Sequence, residues 1–349
     1  MAGGIGSRFW PFSRNNHPKQ FHDILGTGKT MIQQTAERFE GICPKENIYI
    51  VTNRIYAQKV KEQLPFLSQD QLLLEPVARN TAPCVAYAAY KIFSKNPNAN
   101  IVVAPSDHVI LKEEEFKRCI QEALTQTTFH DIIVTLGIKP HRPDTGYGYI
   151  QFMGQTFGEL HKVKTFTEKP NLDLAKQFVE SGEFVWNAGI FVFNAKTILQ
   201  CFENFLPDMA ELFKHGTYIY FSSEEENFIT NVYAQCKSIS IDYGIMEKAT
   251  NVHVLLCDFG WSDLGTWKSL YDISEKDQNE NALQGKHILY DSANCIIRTP
   301  KERLVVVEGL DNYIVAEFDN VLMICRKDSE QRVKEFLGDA KEMHGEKFV

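Results

Sequence analysis

The eight cysteines of this chain, at positions 43, 84, 119, 201, 236, 257, 295 and 325, never form a C-x-x-C pair. Neither a zinc site nor a disulfide framework is suggested, and buried free thiols in a reducing compartment are expected. No apolar run is long enough to span a bilayer and no secretory leader is visible, so a cytoplasmic protein is expected. Positive charge is in deficit, with 37 Lys and Arg against 45 Asp and Glu and a net charge of −8. That balance argues against nucleic acid or an anionic membrane as partner. An anionic substrate would have to meet positive charge gathered locally or supplied by a metal. Two familiar phosphate loops are missing as well. Gly4-Ile5-Gly6-Ser7-Arg8-Phe9 lacks the third glycine of a dinucleotide fingerprint. Gly26-Thr27-Gly28-Lys29-Thr30 resembles the end of a Walker A loop, but Asp23 stands where that motif needs its first glycine.

What is present begins at the first residues. Gly3, Gly4 and Gly6 give a backbone that can lie close against a ligand and present N–H groups to an anion. Arg8, Arg14 and Lys19 add fixed positive charge within the same stretch, equipment suited to a polyphosphate. A glycine turn with solvated basic residues is the plainer alternative. At 349 residues the chain suits one large domain plus a small one. Helical stripes over 30–39, 57–63, 82–94 and 113–125 alternate with apolar strands over 47–52, 71–74, 101–104 and 131–136. Such alternation indicates an α/β fold with a mostly parallel sheet, whose ligands gather at the carboxyl ends of the strands.

Several blocks fall at those ends. Glu75-Pro76-Val77-Ala78-Arg79-Asn80-Thr81-Ala82-Pro83 joins a strand to a helix, with Asn80 or Thr81 as N-cap. Asp107 lies just past a buried strand, as a helix cap or as a metal ligand, and Asp263 lies in a similar loop between strand and helix, where an isolated aspartate reads as a cap. The pattern then changes: Gly146 sits in a glycine turn before an alternating strand, and Glu168-Lys169-Pro170 closes the excursion. Asn187 is the one polar interior position in an apolar strand over 184–193, and Asp242 can cap a helix that follows. Residues 276–281 form the best linker candidate, after which short strands recur with turns between them. They predict a small all-β module over 284–349 that ends in an amphipathic helix, the larger domain covering 1–275.

The string GGIGSRFWPFSRNNHPKQF carries the G-G-x-G-x-R…P-K pattern and closely resembles the mannose-1-phosphate guanylyltransferases (GDP-mannose pyrophosphorylases), a family of sugar-nucleotide nucleotidyltransferases. The likeness continues in separated blocks to about Trp267, roughly three quarters of the chain. The resemblance implies a Rossmann-like catalytic domain followed by a short β-helix. It also implies transfer of GMP from GTP to mannose 1-phosphate with release of pyrophosphate. By the same resemblance, Arg8 and Lys19 hold the β- and γ-phosphates above a cradle of Gly3, Gly4, Gly6 and Ser7. Glu75, Arg79, Asn80 and Thr81 face the base and ribose, Gly146, Glu168, Lys169 and Asn187 face the sugar phosphate, and Asp107 and Asp263 bind Mg²⁺. Another hexose phosphate or base, or a catalytically silent sugar-nucleotide sensor, remains open as an alternative, as does a homodimer. In the family an apolar strand precedes the glycines. The expectation is therefore that Met1 is internal to a longer chain whose upstream strand is missing.

Overall fold

The structure is a computed structural model that describes residues 1–349. Its chain forms two compact units: residues 1–3, 36–106 and 110–261 make the first, and residues 4–35, 107–109 and 262–349 the second. These boundaries differ from a division at 275 and 284, because the glycine-rich segment packs with the C-terminal part of the chain.

The first unit holds eight main strands: β1 (Ile50–Asn53), β2 (Leu72–Glu75), β3 (Asn100–Val103), β4 (Ile133–Ile138), β5 (Gly148–Gln155), β6 (Leu160–Glu168), β7 (Phe184–Asn194) and β8 (Val252–Cys257). β1 and β2 pair in parallel, and the other six form one sheet in the order β3-β7-β4-β8-β6-β5. β4 and β8 are parallel, and β3 runs the same way, but β7 lies antiparallel between β3 and β4. β5 and β6 are the antiparallel excursion expected from their alternating pattern. Met1 and Ala2 are tied in at both sides. The Met1 amino group donates to the Ala104 carbonyl at 2.8 Å, and the Ala2 N–H donates to the Val51 carbonyl at 2.8 Å.

Helices cover this sheet where the sequence caps them. In α1 (Thr81–Lys95), Asn80 is the cap and its side chain accepts from the Thr81 N–H. Three glutamates in the first turn of α2 (Glu113–Phe129) face the positive end of the helix dipole. Asn171 caps α3 (Leu172–Ser181), and Gly182 ends it at φ 70°. Six of the eight cysteines are buried and all eight are free thiols. No helix is long and apolar enough to cross a membrane.

The second unit is built on β9 (Ala282–Gln284), β10 (Lys286–Tyr290), β11 (Ile296–Arg298), β12 (Leu304–Glu308), β13 (Tyr313–Phe318) and β14 (Val321–Arg326). β9, β11 and β13 stack in parallel, so Ala282, Ile296 and Ile314 form one column of side chains. β10 and β12 stack in the same way, and β14 turns back antiparallel on β13. The linker candidate is an ordered turn: the Asp277 carboxylate accepts from the N–H groups of Asn279 and Asn281 at 2.9 and 2.8 Å.

An apolar cluster of Phe9, Trp10, Leu264, Trp267, Ile296 and Ile314 holds the glycine-rich segment in this unit. Phe9 stacks on Trp267 with ring centroids 4.7 Å apart, and Phe12 meets both Trp267 and Phe318. Arg14 belongs to this packing and not to a phosphate site. It is 2 % exposed, its Nε donates to the Pro11 carbonyl at 3.1 Å, and its other nitrogens donate to Asn320 Oδ1 at 2.8 Å and to the Phe318 carbonyl at 2.6 Å. Removing the guanidinium strands buried carbonyls, each worth about 1–3 kcal/mol. Arg14→Ala should therefore lower stability by about 2–3 kcal/mol in urea titration. An unshifted midpoint would return Arg14 to the phosphate-binding candidates.

Candidate active site

In the second unit the segment after Gly3 has an unusual backbone. The N–H groups of residues 4–8 make no hydrogen bond within the protein, and the next one, Phe9 N–H, closes a turn on the Gly6 carbonyl at 2.9 Å. Gly6 has φ 74°, and a Cβ there would stand 3.1 Å from Lys19 Cβ, so glycine is required by both conformation and space. Gly4 is exposed with open space around it, and Ser7 is half-buried. Arg8 is half-buried and no protein group pairs with its guanidinium. Bare amides and a free guanidinium on one short loop form an anion cradle. The neighbouring Walker-like stretch is not one. Asp23, standing where a Walker loop has glycine, takes the Thr27 and Gly28 N–H groups at 2.9 and 2.8 Å, filling the place of a phosphate.

Lys19 brings the two aspartate loops of this unit together. Its ammonium, 4 % exposed, lies 2.9 Å from Asp107 Oδ2 and donates to the carbonyls of Asp263 at 2.7 Å and Leu264 at 3.2 Å. Burial opposes ionisation of Asp107, but Lys19 and then His108 outweigh it and hold the carboxyl below the usual range. The Asp263 carboxylate folds back on its own turn, where Oδ1 accepts from the Gly265 N–H at 2.9 Å.

The first unit carries the remaining candidates in two groups. On one side, Glu75 at the end of β2 is buried, and Tyr233 Oη donates to its Oε1 at 3.0 Å. Burial raises the Glu75 carboxyl, with the Tyr233 hydrogen bond and the chain's amino terminus working against it. A Cβ on Gly3 would stand 3.3 Å from Glu75 Oε2, so the glycine admits this carboxylate. Arg79 Nε donates to the Tyr233 carbonyl at 3.3 Å. Asn80 has φ 66°, and the Thr81 hydroxyl accepts from the Ile241 N–H at 2.9 Å. Asn80 and Thr81 thus fix the backbone of this block as much as they offer polar atoms.

On the other side, Glu168 ends β6 with its carboxylate paired to Lys169, whose own φ is 49°. A Cβ on Gly148 would collide with Glu168 Oε2, so Gly148 makes room for this carboxylate. Gly146 lies in the preceding turn, its N–H held by Asp144 Oδ1 at 2.8 Å. Asn187 sits where β7 bulges. Two steps on β4, from Thr135 to Gly137, oppose the longer path from Phe191 to Asn187, and Gly189 makes the detour at φ 66°. Bulges re-aim side chains beside functional sites. Here the bulge lets Thr135 Oγ1 and the Gly189 N–H donate to Asn187 Oδ1 at 2.9 and 3.1 Å, while Asn187 Nδ2 donates to Asp242 Oδ1 at 3.1 Å.

Asp242 does not cap a helix as its position suggested. It is the first residue of a single π-type turn, Asp242–Met246, and Ile241 stands in the cap position. Burial, and then the nearby Glu168, push its carboxyl up to about 6. The sequence reading missed Thr135 and Gly148 as members of this cluster, and took Asp242 as a helix cap in a segment that, by resemblance, helps shape the sugar pocket. Thr135, a lone hydroxyl in an apolar strand, was the available signal.

Residues 1–280 match the Nucleotidyl transferase family, and residues 285–339 match the MannoseP isomerase/GMP-like beta-helix domain. A putative mannose-1-phosphate guanylyltransferase from Vibrio cholerae is 34% identical, over 97% of this chain and 72% of its own length. The alginate biosynthesis protein AlgA from Pseudomonas aeruginosa is 36% identical, over 97% of this chain and 71% of its own length. Among solved structures, a Thermus thermophilus protein named as a mannose-1-phosphate geranyltransferase aligns at TM-score 0.88 and 31% identity, covering 98% of both chains. With an anion cradle, paired aspartate loops and a stacked β-module joined in one chain, this protein belongs to the mannose-1-phosphate guanylyltransferase family of nucleotidyl transferases.

Proposed function

We propose that the protein transfers GMP from GTP to α-D-mannose 1-phosphate, giving GDP-mannose and pyrophosphate. The run of unpartnered N–H groups at residues 4–8 carries this reading, since it offers a polyanion donors that nothing in the protein uses. The names of the relatives support guanine and mannose as the base and sugar.

The chemistry needs no protein nucleophile. An oxygen of the sugar phosphate attacks the α-phosphorus, a new P–O bond forms, and the bond to the β-phosphate breaks as pyrophosphate leaves. Positioning and electrostatics then do most of the catalysis. The amides of residues 4–8 and Arg8 stabilise the charge that grows on the leaving pyrophosphate. Lys19 holds Asp107 ionised and in place, and lends its charge to the same phosphates. Lys169 holds the attacking phosphate, Glu168 and Asn187 take sugar hydroxyls, and the Gly146 turn borders them. Glu75, Arg79, Asn80 and Thr81 serve the base and ribose.

Asp107 and Asp263 would hold Mg²⁺, and the residues fit it. The donors are all oxygen, Asp107 is kept ionised, and its carboxylate already accepts a cation in the Lys19 ammonium at 2.9 Å. When bound, the ion would neutralise phosphate oxygens and so reduce repulsion between the two anionic substrates.

Pyrophosphate release measured across a grid of four nucleoside triphosphates and several sugar 1-phosphates should peak at GTP with mannose 1-phosphate. A maximum elsewhere changes the substrates, and no release with any pair makes the protein a sensor. Asp107→Asn and Asp263→Asn should each fold and lose at least ~100-fold in kcat, the scale of one strong transition-state contact. Full turnover in either variant with Mg²⁺ saturating removes that residue from the mechanism. Lys169→Ala should raise the KM for sugar phosphate more than that for nucleotide, and Arg8→Ala should do the reverse. Equal effects on both substrates would overturn the division of roles.

A further inference from the structure

Asn187 reaches the sugar side with its amide already committed. Both lone-pair directions of Oδ1 are filled, by the Thr135 hydroxyl at 2.9 Å and the Gly189 N–H at 3.1 Å. One N–H of Nδ2 goes to Asp242 Oδ1 at 3.1 Å. An amide gripped by two donors at its oxygen and one acceptor at its nitrogen cannot flip without losing all three bonds. One N–H is left, and Asn187 itself is only half-buried.

The shorter of the two contacts of the Thr135 hydroxyl is to Asn187, at 2.9 Å against 3.3 Å to the Ile190 carbonyl. Thr135 is fully buried in β4, and its hydroxyl reaches Asn187 only because β7 carries the bulge at Gly189. Asp242 opens a π-type turn, a rare form that recurs at functional sites. The charged groups that bear on Asp242 are Glu168 and Lys169, and Glu247 in turn bears on Glu168. A buried carboxylate beside a second carboxylate is costly to keep.

We propose that Asp242 is a positioning residue for the sugar phosphate: it fixes the Asn187 amide so that the one free N–H is presented to a hydroxyl of the sugar. Glu168 stands near Asp242, so the cluster offers one fixed donor together with carboxylate acceptors. Adjacent hydroxyls of a sugar match that pattern, because each can accept one hydrogen bond and donate another. The inference rests on the reading above that Asn187 faces the sugar, and it adds the residues that hold it there.

The test is steady-state kinetics of the full chain with each substrate varied in turn. Asp242→Ala and Thr135→Val should each raise the KM for the sugar 1-phosphate by about tenfold, the scale of a hydrogen bond to a charged group, with the KM for the nucleotide within twofold. Their double variant should be no worse than Asn187→Ala alone, because all three act through one amide. Asp242→Asn, whose oxygen can still accept from Asn187, should restore most of the loss. Circular dichroism and melting temperature check each variant, and Thr135→Val, which removes a single hydroxyl, serves if Asp242→Ala does not fold. Equal rises in both KM values, effects of Asp242→Ala and Asn187→Ala that multiply, or no rescue by Asp242→Asn would overturn the positioning role. Should Asn187→Ala raise the sugar-phosphate KM while Asp242→Ala and Thr135→Val leave it unchanged, only the positioning role falls. If Asn187→Ala itself leaves that KM unchanged, the sugar-side reading falls and this inference with it.

Discussion

One buried ammonium organises the phosphate end of the protein. Lys19 is almost wholly removed from solvent, and it meets a carboxylate and two carbonyls drawn from loops far apart in sequence. A buried charge is tolerated only when paired and hydrogen-bonded, so these partners are as necessary to Lys19 as Lys19 is to them. The arrangement sets the Asp107 and Asp263 loops against the glycine-rich segment. It also keeps Asp107 ionised despite burial, which is the state a metal or a phosphate-bound cation requires.

An ammonium can do this only on a rigid support, and the support is aromatic. Phe9, Trp10 and Phe12 pack with Trp267 and Phe318, and Arg14 bonds the chain on either side of them. Burying one large apolar side chain contributes about 1.5–3 kcal/mol, so this cluster can hold a loop whose own amides make no internal bonds. The loop's N–H groups are left unpaired at residues 4–8 because the surrounding packing, and not the loop's own hydrogen bonding, fixes its course. In a chain of net charge −8, that is how positive potential is concentrated where an anion binds.

Much of this was legible in the sequence, and the misses have physical causes. The strand over 184–193 and a cap at Asn80 or Thr81 follow from apolar runs and local side-chain chemistry, and the structure has the strand Phe184–Asn194 and the cap at Asn80. Asp23 in place of a Walker glycine was also readable, and its carboxylate does occupy the amides. Arg14 was misread because a basic residue in a glycine-rich stretch looks the same whether its partners are phosphates or carbonyls distant in sequence. The antiparallel course of β7 was invisible, since a strand buried on both faces has the same pattern in either direction. The division near 280 coincides with the two family matches, while the packing of residues 4–35 with the C-terminal strands is a long-range contact that sequence order does not show.

Asp242 shows most clearly where sequence reasoning stops. Its position at the start of a helical stretch predicts a cap, and the local rule is sound for an aspartate with free backbone N–H groups ahead of it. Here Asp242 lies inside the π-type turn, one residue past the cap position, and its carboxylate accepts from the amide of a strand far away in sequence. A local rule failed because a tertiary contact outbid it. Such failures concentrate at functional sites, where side chains are held for a ligand at the expense of the element that carries them. The bulge at Gly189, the buried Thr135 hydroxyl and the two neighbouring carboxylates all depart from what a plain interior strand pair would choose. Together they make Asn187 a fixed donor.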